Sequence, residues 1–315
     1  LGMGAFVTLA LTILAARTGE GGVSVFTFAS NLEAVPLSLI GAAYATAAFP
    51  VLAEHHRKKQ GAAYRDTISA AARHIIFWST IIMVLTIVLR AHIVRIVLGT
   101  GAFSWNDTRL TAAILGILIV ALAAQGLILL CARAFYAAQR SWNPLIMQLG
   151  DIGVSVLVAL GGMWLAGQYP PVRYFVEALF RVSDVGGADI LFIAIGATVG
   201  QLIVAGVALI TLSRVAPGVA RSLVRPLFQA LGSGILGGAA SYGVLSFMGH
   251  LEPLTTTHAV FTQGIIAGMV GLLVAVGVLA SLRNQEFQDL RDSLKRLTTK
   301  ALPASDSALG DGATS

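Results

Sequence analysis

Residues 22–54 read GVSVFTFASNLEAVPLSLIGAAYATAAFPVLAE, and this stretch decides the fold. It exceeds the roughly 20 apolar residues that a helix needs to cross a bilayer. Its first third nevertheless carries Ser30, Asn31 and Glu33, and Pro36 follows. An acidic residue at the bilayer centre costs about 2.5–3.5 kcal/mol on insertion scales, so it usually faces a bundle interior or a water-filled cavity. We therefore expect a polar notch on a transmembrane helix, with a kink at Pro36.

The composition points to the same class. The chain has 315 residues, of which 56% are hydrophobic and 11% are charged. Soluble domains carry about 25% charged residues, so we predict an all-α polytopic membrane protein. The single cysteine, Cys131, excludes a disulfide within the chain and a thiolate zinc cluster.

Windows of about 19 residues give eight hydrophobic spans. All eight have the length and composition of helices. Their predicted limits are 1–17, 23–52, 72–98, 108–136, 145–167, 189–213, 227–248 and 259–282.

Several residues predict where these helices begin. Residues 106–108 (Asn, Asp, Thr) offer N-caps for the fourth span, and Asp189 offers one for the sixth. Pro144 occupies a favoured first-turn position of the fifth span, and Pro226 is predicted to start the seventh.

The basic residues predict the orientation. With eight spans, 15 of the 21 lysines and arginines fall on the side of the 54–71 loop and the C-terminus. The positive-inside rule makes that side cytoplasmic. This distribution also explains the net charge of +6 without nucleic acid as a partner.

The connections and the tail complete the organisation. Residues 168–188 form the longest external connection and contain a candidate interfacial helix. Residues 284–299 predict an amphipathic helix on the inner leaflet. The expected regions are a six-helix bundle at 1–214, two further transmembrane helices at 215–282, and a cytoplasmic helix with a disordered tail at 283–315.

Three blocks of sequence, taken together, resemble one family. They are FASNLEAVPLSLIGAAYATAAFPVLAEH at 28–55, GTGAFSWNDTRLTAAIL at 99–115 and ARAFYAAQRSWNP at 132–144. In this order they resemble the lipid II flippase family (MurJ, also called MviN) of the multidrug and polysaccharide exporter superfamily. The resemblance covers about residues 1–225.

That resemblance implies two six-helix lobes around a central cavity, plus two further helices. The spans here would then be the second lobe and the two extra helices. The first residue is Leu1 rather than Met, which agrees with the expectation that the chain is a fragment. The resemblance further implies a transporter of undecaprenyl-diphosphate-linked peptidoglycan precursor in the bacterial plasma membrane, with membrane lipids and cell-wall synthesis proteins as partners.

The chain departs from the family at one important position. Family members carry an acidic and then a basic residue before the L-x-x-x-P run, and the basic residue is thought to meet the substrate's diphosphate. Here those positions are Ser30 and Asn31. Asn31 can hydrogen-bond a phosphate or a sugar but supplies no charge. Either the charge comes from the missing lobe, or the substrate differs, or this branch of the family handles the lipid in another way.

The candidate substrate-binding residues are the polar groups embedded in or bordering the spans. Some have simpler explanations: Gln125 could join helices, Arg133 could obey the positive-inside rule, and Arg17 could snorkel to the surface. The full set is Ser30, Asn31, Glu33, Arg17, Gln125 and Arg133.

A second set could couple transport to an ion. Asp151 and Ser155 share one face of the fifth span, and Gln148 lies three residues before Asp151. With Glu33 they could carry a proton or Na⁺. The alternative is a buried hydrogen-bond cluster that only joins helices.

Other functions stay open at this point. We find no nucleotide-binding glycine loop, no catalytic motif and no cofactor motif, and His55 and His56 lack a third metal ligand. The chain is therefore not expected to be an enzyme. Alternatives are export of another polyprenyl-linked sugar or of a drug-like cation, an intramembrane glycosyltransferase or acyltransferase, and a scaffold for envelope proteins.

Overall fold

The computed structural model describes residues 4–19, 21–99, 104–251 and 257–282, and these residues are helical with short connections. Eleven α-helices occur in the described ranges, together with one π-helical segment and one 3-10 turn. In chain order they are α1 (Gly4–Ala15), α2 (Gly22–Pro36), the π-helical segment (Leu37–Ala42), α3 (Ala43–Arg57), α4 (Gly61–Leu98), α5 (Trp105–Leu118), the 3-10 turn (Ile119–Ala121), α6 (Leu122–Ala137), α7 (Trp142–Gln168), α8 (Pro170–Phe180), α9 (Ile190–Ser213), α10 (Val219–Leu251) and α11 (Thr257–Ser281).

Seven helical stretches in the described residues are long and apolar enough to cross a membrane. This confirms the predicted all-α polytopic membrane bundle. The first predicted span, 1–17, contains α1 with 12 residues, which is shorter than a membrane-spanning helix. Residues 1–3 and the predicted amphipathic helix at 284–299, with the tail beyond it, lie outside the described residues.

The irregularity expected at Pro36 takes the form of a change in helical register. Helices α2 and α3 form one stretch, Gly22–Arg57, and the π-helical segment begins directly after Pro36. Proline has no backbone N–H to donate to the preceding turn, and π-helical turns inside α-helices are frequent at functional sites. Ser30, Asn31 and Glu33 therefore lie in the two turns before the π-helical segment.

Two helix starts differ from the sequence-based prediction. The cap of α5 is Ser104, whose Oγ accepts a hydrogen bond from the Asp107 N–H at 3.1 Å while the Asp107 carboxylate accepts one from the Ser104 N–H at 2.9 Å. The predicted cap at 106–108 is therefore wrong, because this reciprocal pair already satisfies the first turn. Pro226 does not start α10 but lies inside it, since the helix begins at Val219.

Two other predicted boundaries are revised and one is kept. Asp189 precedes α9 but makes no capping bond with its side chain, which instead lies 3.5 Å from Arg173. The predicted 54–71 loop is largely helical, because α3 runs to Arg57 and α4 begins at Gly61. Pro144 lies in the first turn of α7, as expected.

The helices pack as two groups, which share α4 as a boundary. The first, called the cavity bundle here, consists of α1, α2, α3, α5, α6, α7 and α9, with their closest pairing between α7 and α9. The second, called the three-helix unit, consists of α4, α10 and α11. Buried apolar side chains fill the cavity bundle in two clusters, one near each end. Between these clusters lies the polar site described next.

Candidate functional site

An open cavity of about 580 Å³ lies inside the cavity bundle, bordered by α1, α2, α6, α7 and α9. Much of its wall is apolar, as expected for a membrane bundle. Polar side chains interrupt that wall on all five of these helices. Those from the two predicted site sets are Ser30, Glu33, Gln125, Arg133, Gln148 and Asp151.

A chain of hydrogen bonds crosses one side of the cavity. Gln125 Nε2 on α6 donates to Glu33 Oε1 on α2 at 2.5 Å and to Gln201 Oε1 on α9 at 2.9 Å. Glu33 is buried, with only 6% of its surface exposed. A buried carboxyl needs hydrogen-bond partners, and Gln125 supplies one while joining three helices. Sequence reasoning treated Glu33 and Gln125 separately, whereas the structure places them in contact.

A second polar pair lies on α7. Ser155 Oγ donates to Asp151 Oδ1 at 3.1 Å, and both side chains are buried. Gly200 on α9 makes this position possible, because a Cβ atom there would lie 2.0 Å from Ser155 Oγ. The absence of a side chain at Gly200 therefore lets α9 approach α7 closely beside Asp151.

Gln148 adds an unused hydrogen-bond donor to the cavity, and Arg133 adds a positive charge. The Nε2 atom of Gln148 is buried and has no hydrogen-bond partner among the described residues. The guanidinium carbon of Arg133 lies 5.8 Å from the centre of the Phe49 ring, a cation–π contact. Both residues line the cavity, as does Ser30. They are therefore placed to meet a polar ligand.

Two predicted site residues do not line the cavity. Asn31 is exposed, whereas the preceding residue, Ser30, lines the cavity. Successive side chains of an α-helix point about 100° apart, since a turn has 3.6 residues. Asn31 therefore points away from the cavity that Ser30 borders. Arg17 follows α1 and is also exposed. The structure thus brings Glu33, Gln125, Asp151, Ser155, Gln148, Ser30 and Arg133 together around one space and leaves Asn31 and Arg17 outside it.

Gln201 is a cavity residue that sequence analysis missed. It lies within the 24-residue apolar helix α9 and accepts the bond from Gln125. A lone amide inside such an apolar helix is costly without a partner, and this signal was available in the sequence. No group of three or more potential metal ligands (His, Cys, Asp or Glu) occurs in the part of the chain that the structure describes.

Comparison with known proteins places this chain in a family. A sequence profile of the family described as "Lipid II flippase MurJ" matches residues 2–170, which is more than half of the chain. The chain belongs to the MurJ family. The resemblance carried by the three sequence blocks is thereby confirmed.

A relative and a solved structure agree with this assignment. A "Probable lipid II flippase MurJ" from Bdellovibrio bacteriovorus is 27% identical over 165 residues, which are 50% of this chain and 31% of that protein. A structure described as "Lipid II flippase MurJ, inward closed conformation" matches with a TM-score of 0.60 and 15% identity over 89% of this chain and 53% of that one. At that identity the likeness concerns the fold, and the match spans only about half of the MurJ structure.

Proposed function

We propose that this protein acts as a flippase-type transporter, which moves undecaprenyl-diphosphate-linked peptidoglycan precursor (lipid II) across the bacterial plasma membrane. The observation that carries the proposal is the polar cavity inside an apolar bundle, with Glu33, Gln125, Gln201 and Asp151 on its wall. Membership of the MurJ family supports the cargo. A cavity of this kind can hold a hydrophilic head group while the polyprenyl tail stays in lipid.

The cavity residues would divide the work by their chemistry. Amides such as Gln125 and Gln148 can exchange hydrogen bonds with sugar and peptide groups, and the Arg133 guanidinium can pair with phosphate oxygens. The two cavity carboxyl groups, Glu33 and Asp151, would carry the coupling proton or cation, with Ser155 and Gln148 as neighbouring ligands. Transport then makes and breaks no covalent bond and needs no cofactor, and the membrane potential or an ion gradient supplies direction.

The charge distribution supports an orientation with the C-terminus in the cytoplasm. In this arrangement residues 1–214 form the transport bundle, and 215–282 form two additional helices. Arg133 then lies towards the cytoplasmic side of α6, where it would meet a head group that enters from that side. Alternating access of the bundle would rest on motion against another part of a two-lobed transporter.

Complementation tests this proposal. The full-length gene should rescue cells depleted of their lipid II flippase, and Glu33→Ala and Asp151→Ala should weaken rescue at unchanged protein level. The matched control is Asn31→Ala, two residues from Glu33 on the same helix but outside the cavity. Full rescue by both carboxyl variants would contradict a role for the cavity.

A second candidate, export of a drug-like cation, is favoured by one observation. Among the described residues, the cavity is lined by two carboxyl groups and one arginine, a balance that suits a positive cargo better than a diphosphate. In a cation-efflux assay, Glu33→Gln would then abolish transport. Rescue of flippase-depleted cells together with absent efflux would reject this candidate, and the reverse result would reject lipid II as the cargo.

A further inference from the structure

Two neighbouring transmembrane stretches of the cavity bundle are both interrupted near the middle. In Gly22–Arg57, the π-helical segment Leu37–Ala42 separates α2 from α3. In Trp105–Ala137, the 3-10 turn Ile119–Ala121 separates α5 from α6. A 3-10 stretch inside a helix often marks a hinge, and π-helical turns occur mostly at functional sites. By contrast, α4, α7 and α9 run without interruption.

The two interrupted stretches touch at a pair of glycines. A Cβ atom added to Gly41, within the π-helical segment, would lie 2.8 Å from the Cα atom of Gly126, in the second turn of α6. A Cβ atom added to Gly126 would lie 3.3 Å from the Gly41 Cα atom and 2.6 Å from Ile75 Cγ2 of α4. The two backbones therefore meet with no side chain between them, as small residues permit in membrane bundles. Such a contact can serve as a pivot, because no side chain has to move aside when the helices change angle.

The packing of buried apolar side chains changes at the same level. Among the described residues, the first cluster includes α2 and α5 but neither α3 nor α6, with Phe26 and Leu115 as examples. The second includes α3 and α6 but neither α2 nor α5, with Leu52 and Leu130 as examples. Each interruption therefore falls where its stretch passes from one cluster to the other. Because close-packed cores resist deformation, bending is expected between the clusters rather than within them.

Helices α3 and α6 are fixed to the same half of α4. Tyr64 Oη on α4 donates a hydrogen bond to the Ala134 carbonyl of α6 at 2.6 Å. Tyr44 on α3 stacks on His74 of α4, with 5.4 Å between the ring centres. These contacts, together with the shared apolar cluster, mean that α3 and α6 move as one body.

One hydrogen bond of the cavity crosses from this body to the other. Gln125, the donor, belongs to α6, and Glu33, the acceptor, belongs to α2. Glu33 lies four residues before the π-helical segment begins, and Gln125 lies four residues after the 3-10 turn ends. A tilt of α2 against α6 changes the distance between these two side chains, so the bond resists the tilt. A polar ligand that takes over either partner would remove that resistance.

We propose that the π-helical segment and the 3-10 turn form one paired hinge, about which α2 and α5 tilt together against α3 and α6. The pivot is the contact between Gly41 and Gly126, and the hydrogen bond between Gln125 and Glu33 is the latch that holds the present angle. Tilting changes the width of the cavity, because its wall contains residues of α2, α5 and α6. The hinge is a property of the bundle, so it stands whichever cargo the cavity carries.

Distances between spin labels in the whole purified protein test the hinge. In a Cys131→Ala background, Val35→Cys and Val51→Cys place labels at two exposed positions on either side of the π-helical segment. The matched label pair is Leu149→Cys and Leu165→Cys, which are also exposed and also 16 residues apart but lie on the uninterrupted α7. Double electron–electron resonance should give a broader distance distribution for the first label pair than for the second.

Two proline variants test whether the irregular turn causes the difference. Pro36→Ala restores the backbone N–H that is missing directly before the π-helical segment, and it should narrow the Val35–Val51 distribution towards that of the α7 pair. Pro50→Ala makes the same substitution between the same two labels, but inside the regular helix α3, so it should leave the distribution unchanged. Equal widths for the two label pairs, or equal effects of the two proline variants, would overturn the hinge.

Hydrogen exchange of the whole protein tests the pairing and the latch. In Pro36→Ala, amides of the 3-10 turn should exchange several-fold more slowly together with those of the π-helical segment, although the substitution lies on another helix. Gln125→Met removes the latch and should speed exchange at both interruptions, while α11, which lies outside the cavity bundle, keeps its exchange rates. A change confined to the π-helical segment in Pro36→Ala would reject the pairing. Unchanged exchange at the interruptions in Gln125→Met, or an equal increase in α11, would reject the latch.

Discussion

Around the cavity, buried polar side chains bond to one another across helices, whereas in the three-helix unit they lie among closely approaching glycines. Gln125 joins Glu33 to Gln201 over an open space. In the three-helix unit, a Cβ atom at Gly237 would lie 2.5 Å from the Gly271 carbonyl oxygen, which leaves no such space between α10 and α11.

The difference shows how the same membrane environment permits two uses of small and polar residues. Membrane helices associate through close packing and interhelical hydrogen bonds rather than through the hydrophobic effect. The three-helix unit relies on close packing, which suits a rigid support. The cavity bundle combines close approaches, such as that at Gly200, with cross-helix hydrogen bonds, which leave room for a ligand and can exchange partners with it. The predictions below test this contrast.

The largest effect is expected in the three-helix unit. Gly237→Leu should destabilise the protein by about 3 kcal/mol, because overpacking of this kind forces neighbouring backbones apart. The control is Gly243→Leu on the same helix, where an added Cβ meets nothing within 4 Å. Equilibrium unfolding in mixed micelles measures both, and equal stabilities would contradict the close packing.

A smaller loss is expected when the cavity hydrogen bonds are removed. Gln125→Ala leaves Glu33 and Gln201 without their shared donor and should cost about 2 kcal/mol, the range for an unsatisfied buried polar group. It should also reduce transport in the complementation assay. Gln168→Ala, at the exposed end of α7, should change neither quantity. Normal stability and transport in the Gln125→Ala variant would show that the cross-helix hydrogen bonds neither stabilise the bundle nor support transport.

Two fully buried serines, one in each helix group, allow a direct comparison of a bonded and an unbonded hydroxyl. Ser155 donates to Asp151 beside the cavity, whereas Ser241 Oγ has no hydrogen-bond partner among the described residues. Ser155→Ala should therefore cost about 1 kcal/mol, while Ser241→Ala should be neutral to within about 0.5 kcal/mol. The same unfolding measurement checks both, and a costly Ser241→Ala would show that its hydroxyl is bonded.

The smallest effect concerns the exposed connection after α8. The hydrogen bonds from Arg109 lower the pKa of Asp184 below its ordinary value. A carboxyl with a lowered folded-state pKa stabilises the fold above its unfolded-state pKa and loses that contribution as pH falls through the folded value. Asp184→Asn should thus lower the melting temperature slightly at pH 7, and the difference from the unchanged protein should vanish only below about pH 4, the ordinary range of aspartate. A difference that vanished well above that pH would contradict the ion pair.

Part of the site was open to prediction because it depends on local features. Glu33, Gln125 and Asp151 stand out as polar residues in apolar runs, and the cost of burying them without partners makes them candidates wherever they occur. The Ser155–Asp151 pair follows from helical spacing alone. Asn31 shows the limit of this reasoning: it belongs to the same polar run as Glu33, yet it points out of the cavity.

The sequence by itself determined the membrane class, the approximate position of most membrane-spanning helices, and the family, because hydropathy and short motifs are read along the chain. Only the tertiary structure decided which faces border the cavity and which residues share it. Gln125 and Glu33 are separated by 92 residues, and Gln125 and Gln201 by 76. Their contacts arise from how α2, α6 and α9 pack, and packing depends on side-chain shape across helices, such as the space left by Gly200, which no local pattern records.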